Sequence, residues 1–159
     1  MNAYLYLILL ALAAGYAWRR GGAPERLVAS LIVAAVVASA IALGFSTRVF
    51  GSKEVGLFVV DLVLCVAVVL VALHAERFWP LWLSALLILS VLLQLAIWYA
   101  PYYYRAIYLI LHALSAYPTL MLLAAGTARH RRRLMQHGLD PAWSGEVRQR
   151  PDPAVRARR

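Results

Sequence analysis

Residues 55–73 read VGLFVVDLVLCVAVVLVAL, a run of 19 residues in which Asp61 is the one charged side chain. A membrane-spanning α-helix needs about 20 mostly apolar residues, because each residue advances about 1.5 Å through a hydrocarbon layer about 30 Å thick. The apolar residues are consecutive, whereas a soluble amphipathic helix would place them along one face. This run therefore predicts a transmembrane helix.

Four further apolar runs flank this one. They cover about residues 3–18, 27–45, 81–99 and 103–128. Of the 159 residues, 64% are hydrophobic and 14% are charged, whereas soluble domains carry about 45–50% apolar and about 25% charged residues. We therefore predict an all-α integral membrane bundle of five transmembrane helices in residues 1–128. Residues 129–159 are predicted to form a basic tail that is mostly disordered beyond a short helical extension of the fifth span, since they are rich in arginine and proline.

The basic residues predict an orientation. With five spans, the turns after the first and third spans share one side with the tail, and that side holds 13 basic residues. The opposite side holds three, which are Arg48, Lys53 and Arg105. Positively charged segments stay in the cytoplasm, so the N-terminus is predicted outside and the C-terminus inside a bacterial inner (plasma) membrane. The two inner turns contain Glu25-Arg26 and Glu76-Arg77, which we interpret as favourable charges at helix ends.

Polar side chains of three spans are predicted to lie at one depth in the outer half of the membrane. Asp61 and Gln94 are each five or six residues from the outer end of their spans, and the fifth span places three more on one helix face. The predicted cluster consists of Asp61, Gln94, Tyr108, His112 and Ser115. A carboxylate inside a membrane costs about 2.5–3.5 kcal/mol. Either Asp61 ties helices together, protonated or paired with His112, or it handles a proton or ligand.

Small residues recur every four positions in the second span, at Ser30, Ala34, Ala38 and Ala42. In lipid, small side chains let two helix backbones approach closely. The repeat predicts packing of this helix against its neighbours in the bundle, or a contact in a homo-oligomer.

Arginines follow the fifth span directly, at Arg129, Arg131, Arg132 and Arg133. Basic side chains just inside a membrane gain about 1 kcal/mol each from anionic lipids. We therefore expect contact with the bilayer and with anionic lipids at the cytoplasmic face. Nucleic acid is an improbable partner, since the tail has one aromatic residue, Trp143, for base stacking.

No cofactor or metal is predicted. A haem held by two histidines needs both ligands at one depth, and His112, in the outer half, pairs with neither His74 nor His130. These two could share a level at the inner ends of their spans, but we interpret both as interfacial residues that flank the basic run at 129–133. The single cysteine, Cys65, cannot form an internal disulfide. No nucleophile and base have a recognisable spacing, so the chain is predicted not to be an enzyme.

Several short segments together resemble a group of small multi-pass membrane proteins of alphaproteobacteria to which no activity is assigned. They are Gly-Gly-Ala-Pro-Glu-Arg at 21–26, Asp61, Ala-Glu-Arg-Phe-Trp-Pro-Leu-Trp at 75–82, Tyr117-Pro118, Gly126-Thr127 and Arg-His-Arg-Arg-Arg at 129–133. The resemblance covers nearly the whole chain. The tryptophan-rich sensory family is similar in size and span count, but its Trp-Asn-Pro-Pro type motif is absent.

Two functions are compatible with these patterns. The first is a non-enzymatic inner-membrane protein that serves as an accessory subunit of a membrane complex, with a homo-oligomer or another membrane protein as partner. The alternative is a small proton-coupled transporter or carrier that uses Asp61, Gln94 and His112.

Overall fold

The computed structural model describes residues 3–45, 53–75, 77–99 and 101–137, with side chains described within 4–42, 55–75, 77–96 and 117–136. The described part contains five helices. They are α1 (Ala3–Arg20), α2 (Ala23–Phe45), α3 (Lys53–His74), α4 (Trp79–Tyr99) and α5 (Pro101–His137). The prediction of an all-helical fold is confirmed.

Three of these helices are long and apolar enough to cross a membrane. The apolar stretches are Ala23–Ala42 in α2, Val55–His74 in α3 and Trp79–Ala96 in α4. A stretch of about 18 or more apolar residues is the mark of a transmembrane helix, so the chain belongs to the class of membrane proteins. The number of spans and the orientation stay predictions.

The turn between α1 and α2 is tight because two glycines form it. The amide of Gly21 bonds to the carbonyl of Ala17 at 2.8 Å, and a β-carbon on Gly21 would lie 2.7 Å from that of Glu25. Any larger residue would therefore push the start of α2 away from α1. The carbonyl of Gly21 accepts a hydrogen bond from Nε of Arg26 at 3.1 Å, which closes the turn.

Each helix packs against its neighbour in sequence, and α1 closes the arrangement by packing against α5. The helices run alternately up and down. One end of the bundle therefore gathers the end of α1, the start of α2, the α3–α4 turn and the last turns of α5. We call this the basic end because of its arginines, which include Arg19, Arg20, Arg26, Arg77, Arg129, Arg131, Arg132 and Arg133.

The most deeply buried side chains lie in the half of the bundle nearest the basic end. Alanines of α1 line the interior there, and Ala17 is fully buried. They let α1 approach α2 and α5 closely. The larger core residues are Val28, Ile32, Val68, Leu83, Leu120 and Leu123.

The small-residue repeat of α2 does not pack as one face inside the bundle. Ser30 and Ala34 are exposed, Ala38 is half-buried and Ala42 is buried. The physical reason is the helical pitch. A step of four residues overshoots a full turn of 3.6 residues by about 40°, so the repeat winds from the surface towards the interior. Contact in a homo-oligomer through this face stays a prediction.

Candidate functional site

The structure places two members of the predicted polar cluster in direct contact. The side-chain amide of Gln94 on α4 donates a hydrogen bond to Oδ2 of Asp61 on α3. Gln94 is buried and Asp61 is half-buried. Because a buried polar group without a partner costs about 1–3 kcal/mol, this bond ties α3 to α4. We call it the Asp61–Gln94 pair.

A third helix approaches the same place. Tyr6 of α1 is half-buried and lies close enough to Asp61 to interact with it electrostatically. Ser90, one turn deeper on α4, is buried. Polar groups of α1, α3 and α4 therefore converge far from the basic end. The side chains of Tyr108, His112 and Ser115 lie outside the described residues, so the contact between Asp61 and His112 stays a prediction.

A second polar cluster lies at the basic end, and the sequence analysis missed it. Oε1 of Glu25, in the first turn of α2, forms an ion pair with Arg77 of the α3–α4 turn. The same oxygen accepts a hydrogen bond from the indole N–H of Trp79 at 3.2 Å. Arg77 also lies 3.0 Å, through its second guanidinium nitrogen, from Nδ1 of His130 on α5. We call these four residues the Glu25–Arg77 cluster.

The contact between Arg77 and His130 has one possible direction. A guanidinium has donors only, so Nδ1 of His130 accepts the hydrogen bond from Arg77. This is the third bond of the cluster, after those of Arg77 and Trp79 to Glu25. It connects α5 to the α3–α4 turn.

Burial makes this cluster energetically important. The side chain of Glu25 is 0% exposed and that of Arg77 is 6% exposed. Removing one partner of a buried ion pair destabilises a protein by about 3–5 kcal/mol, because the remaining charge has no compensation. Oε2 of Glu25 has no hydrogen-bond partner among the described residues, which adds to the cost of burying this carboxylate. The cluster therefore joins α2, the α3–α4 turn and α5 at one point.

Glycines make the room that this cluster needs. A β-carbon on Gly126 of α5 would lie 2.8 Å from the ring of Trp79. One on Gly22 would lie 3.0 Å from Oε2 of Glu25 and 3.2 Å from the ring of His130. Hence the indole and the imidazole can pack against their neighbours only because these positions carry no side chain.

The sequence does contain a signal for this cluster. Glu25 and Arg77 carry opposite charges in two short turns that are predicted on the same side of the membrane. Glu25 was interpreted as a charge at a helix end and His130 as an interfacial residue. The pairing of Glu25 with Arg77 was therefore not predicted. The residues also belong to three of the segments that carry the resemblance described above.

The arginines predicted to contact anionic lipids lie on a helix. α5 continues to His137, so Arg129, Arg131, Arg132 and Arg133 occupy its last turns, and all four are exposed. The rest of the predicted tail, residues 138–159, lies outside the described residues. Next to the Glu25–Arg77 cluster is a cleft of about 60 Å³, and its lining includes Phe78, Arg129 and Arg133.

No family model, curated protein or solved structure matches this chain. The class of the protein therefore rests on its fold, which is an all-helical bundle with helices that are able to cross a membrane.

Proposed function

We propose that the chain is a non-enzymatic protein of the bacterial inner membrane, with five spans, that serves as an accessory subunit of a larger membrane assembly. The observation that carries this proposal is that the acidic side chains form hydrogen bonds between elements of the bundle. Both acidic side chains in the described part, Glu25 and Asp61, accept hydrogen bonds from another helix or from the α3–α4 turn. Such bonds hold helices in one arrangement, as a structural component requires.

The orientation is part of the proposal. The arginines of the basic end favour placing that end in the cytoplasm, with the N-terminus outside. A fusion of alkaline phosphatase, which is active only outside the cytoplasm, to the C-terminus should be inactive, and a fluorescent protein there should fluoresce. Active phosphatase at the C-terminus of the full chain would contradict the five-span arrangement.

A docking surface for the larger assembly is offered by α2 and α3. Ala34 and Ala38 line an apolar groove between these helices together with Val59 and Val63 of α3. We expect a transmembrane helix of a second copy or of another subunit to pack there, because small residues permit close approach in lipid. Ala34→Leu with Ala38→Leu should then dissociate the complex that is purified in mild detergent. The matched control is Ala85→Leu, an exposed alanine of α4; equal loss of the complex in the control would contradict this role of the groove.

The alternative function is proton-coupled transport at the Asp61–Gln94 pair. It is supported by the convergence of Tyr6, Asp61 and Gln94 from three helices. The protein can be reconstituted in liposomes that contain a pH-sensitive dye and are given a pH gradient. Our proposal expects the wild-type protein and Asp61→Asn to leave the gradient equally intact. Decay of the gradient with the wild-type protein, abolished by Asp61→Asn, would select the carrier instead.

A further inference from the structure

A groove of about 530 Å³ runs between α1 and α5. Along α1 its floor consists of Ala11, Leu12, Gly15 and Tyr16. Ala11 and Leu12 are exposed, and a β-carbon on Gly15 would meet no atom within 4 Å. Ala11 and Gly15 are one turn apart and so share a face of the helix. The absence of large side chains on that face keeps the groove open.

Three arginines surround one end of this groove. Arg19 and Arg20 form the last turn of α1, Arg131 belongs to α5, and all three line the groove and are exposed. Among the residues whose side chains the structure describes, no carboxylate lines the groove. Three cations around one opening repel each other, and an anion between them would remove that repulsion. A guanidinium matches the geometry of a phosphate group with two parallel hydrogen bonds.

The charged end and the apolar floor are continuous. Ala11 and Arg19 are eight residues apart on one helix, which corresponds to about 12 Å. A ligand that fills this groove must therefore carry a negative charge at one end and hydrocarbon next to it. A soluble phosphate would use the arginines alone and leave the floor empty.

We propose that this groove holds one anionic phospholipid of the cytoplasmic leaflet. Its phosphate lies between Arg19, Arg20 and Arg131, and one acyl chain lies over Leu12 and Gly15. This goes beyond a general attraction of the tail to anionic lipids, because it assigns a bounded site between two helices. The inference rests on the proposed placement of α1 in the bilayer, with its arginines at the interface.

Native mass spectrometry of the full chain in mild detergent tests this site. We expect the wild-type protein to retain one phosphatidylglycerol in preference to phosphatidylcholine. Replacing Arg19, Arg20 and Arg131 together by glutamine should weaken retention of phosphatidylglycerol about tenfold or more. The charge-matched control replaces Arg148, Arg150 and Arg156, three arginines outside the described residues, by glutamine and should change retention less than about twofold.

A second variant tests the apolar floor with all arginines intact. Gly15→Leu fills open space in the groove, so it should leave the melting temperature unchanged or raise it. It should nevertheless reduce retention of phosphatidylglycerol as strongly as the arginine variant does. Inorganic phosphate in excess should fail to displace the lipid. Equal retention of the two lipids, displacement by phosphate, or a groove arginine variant that retains lipid like the charge-matched control would overturn the proposal. Because binding in detergent does not depend on orientation, the phosphatase fusion tests the proposed membrane arrangement separately.

Discussion

Glu25 and Asp61 are both acidic side chains inside an apolar bundle, but their partners differ. Asp61 has a neutral amide as donor, whereas Glu25 has a guanidinium and an indole N–H. The neutral amide of Gln94 can donate its hydrogen bond to any acceptor that has a shape similar to that of the Asp61 carboxylate. A buried guanidinium needs a negative charge. The two sites should therefore respond differently to substitution.

At the Asp61–Gln94 pair, Asp61→Asn should be tolerated and Asp61→Leu should not. Asparagine keeps a carbonyl oxygen that can accept from Gln94, so the melting temperature in detergent should change little. Leucine leaves the buried amide of Gln94 without this acceptor, at a cost of about 1–3 kcal/mol. Adding Gln94→Leu to Asp61→Leu should restore most of the lost stability, because replacing both hydrogen-bond partners by apolar side chains changes stability little. If Asp61→Leu melts like the wild-type protein, the pair does not tie the helices.

At the Glu25–Arg77 cluster, removing one charge alone should be severe. Arg77→Met keeps an unbranched apolar stem but removes the guanidinium and leaves Glu25 buried as an uncompensated carboxylate, which should cost about 3–5 kcal/mol. Glu25→Gln in the same chain should recover much of that loss, because it removes the remaining charge. Thermal unfolding of the wild-type protein, Arg77→Met and the double variant measures these differences in stability. Arg132→Gln is the control for the loss of a surface charge. A single variant as stable as the double one would contradict the ion pair.

At the scale of elements, the packing of α5 against the start of α4 depends on Gly126. A methyl group there would lie 2.8 Å from the Trp79 ring, and such overpacking costs about 1–3 kcal/mol. Gly126→Ala should therefore lower the melting temperature. Gly15→Ala is the matched control, because the same change on α1 meets open space and should stabilise the helix by about 0.5–1 kcal/mol. The same shift for both variants would show that Trp79 does not pack on Gly126.

The helices could be predicted from the sequence because apolar length is a local property. The run at 55–73 lies within α3, Lys53–His74. The fifth apolar run was predicted to end at 128 with a short helical extension beyond it, and α5 continues to His137. Arginine is a good helix former, so the residues after 128 can extend the helix. For the Glu25–Arg77 cluster, the sequence offers only the opposite charges of two turns, because the pairing itself and the contact with His130 depend on which helices are neighbours.

At the scale of the whole molecule, α5 packs in the bundle as far as His130, whereas residues 131–136 are exposed and the segment beyond is expected not to pack. A chain that ends after Arg133 keeps His130 and should melt like the full-length protein. A chain that ends after Ala128 loses His130, one of the hydrogen-bond partners of Arg77, and should be less stable. The two truncated chains differ by only five residues. A difference between their melting temperatures therefore reports the contact of His130 rather than a general effect of shortening the chain. Equal melting temperatures would place His130 outside the fold.

The spacing of the Glu25–Arg77 cluster along the chain has a consequence for biosynthesis. Glu25 and Arg77 are 52 residues apart, and His130 follows Arg77 by 53 residues. During translation, Glu25 must enter the membrane region well before its guanidinium partner leaves the ribosome, and the imidazole arrives last. A nascent chain that stalls before α5 contains both members of the ion pair but leaves Arg77 without its imidazole partner. The complete cluster can therefore form only after the last helix has been made.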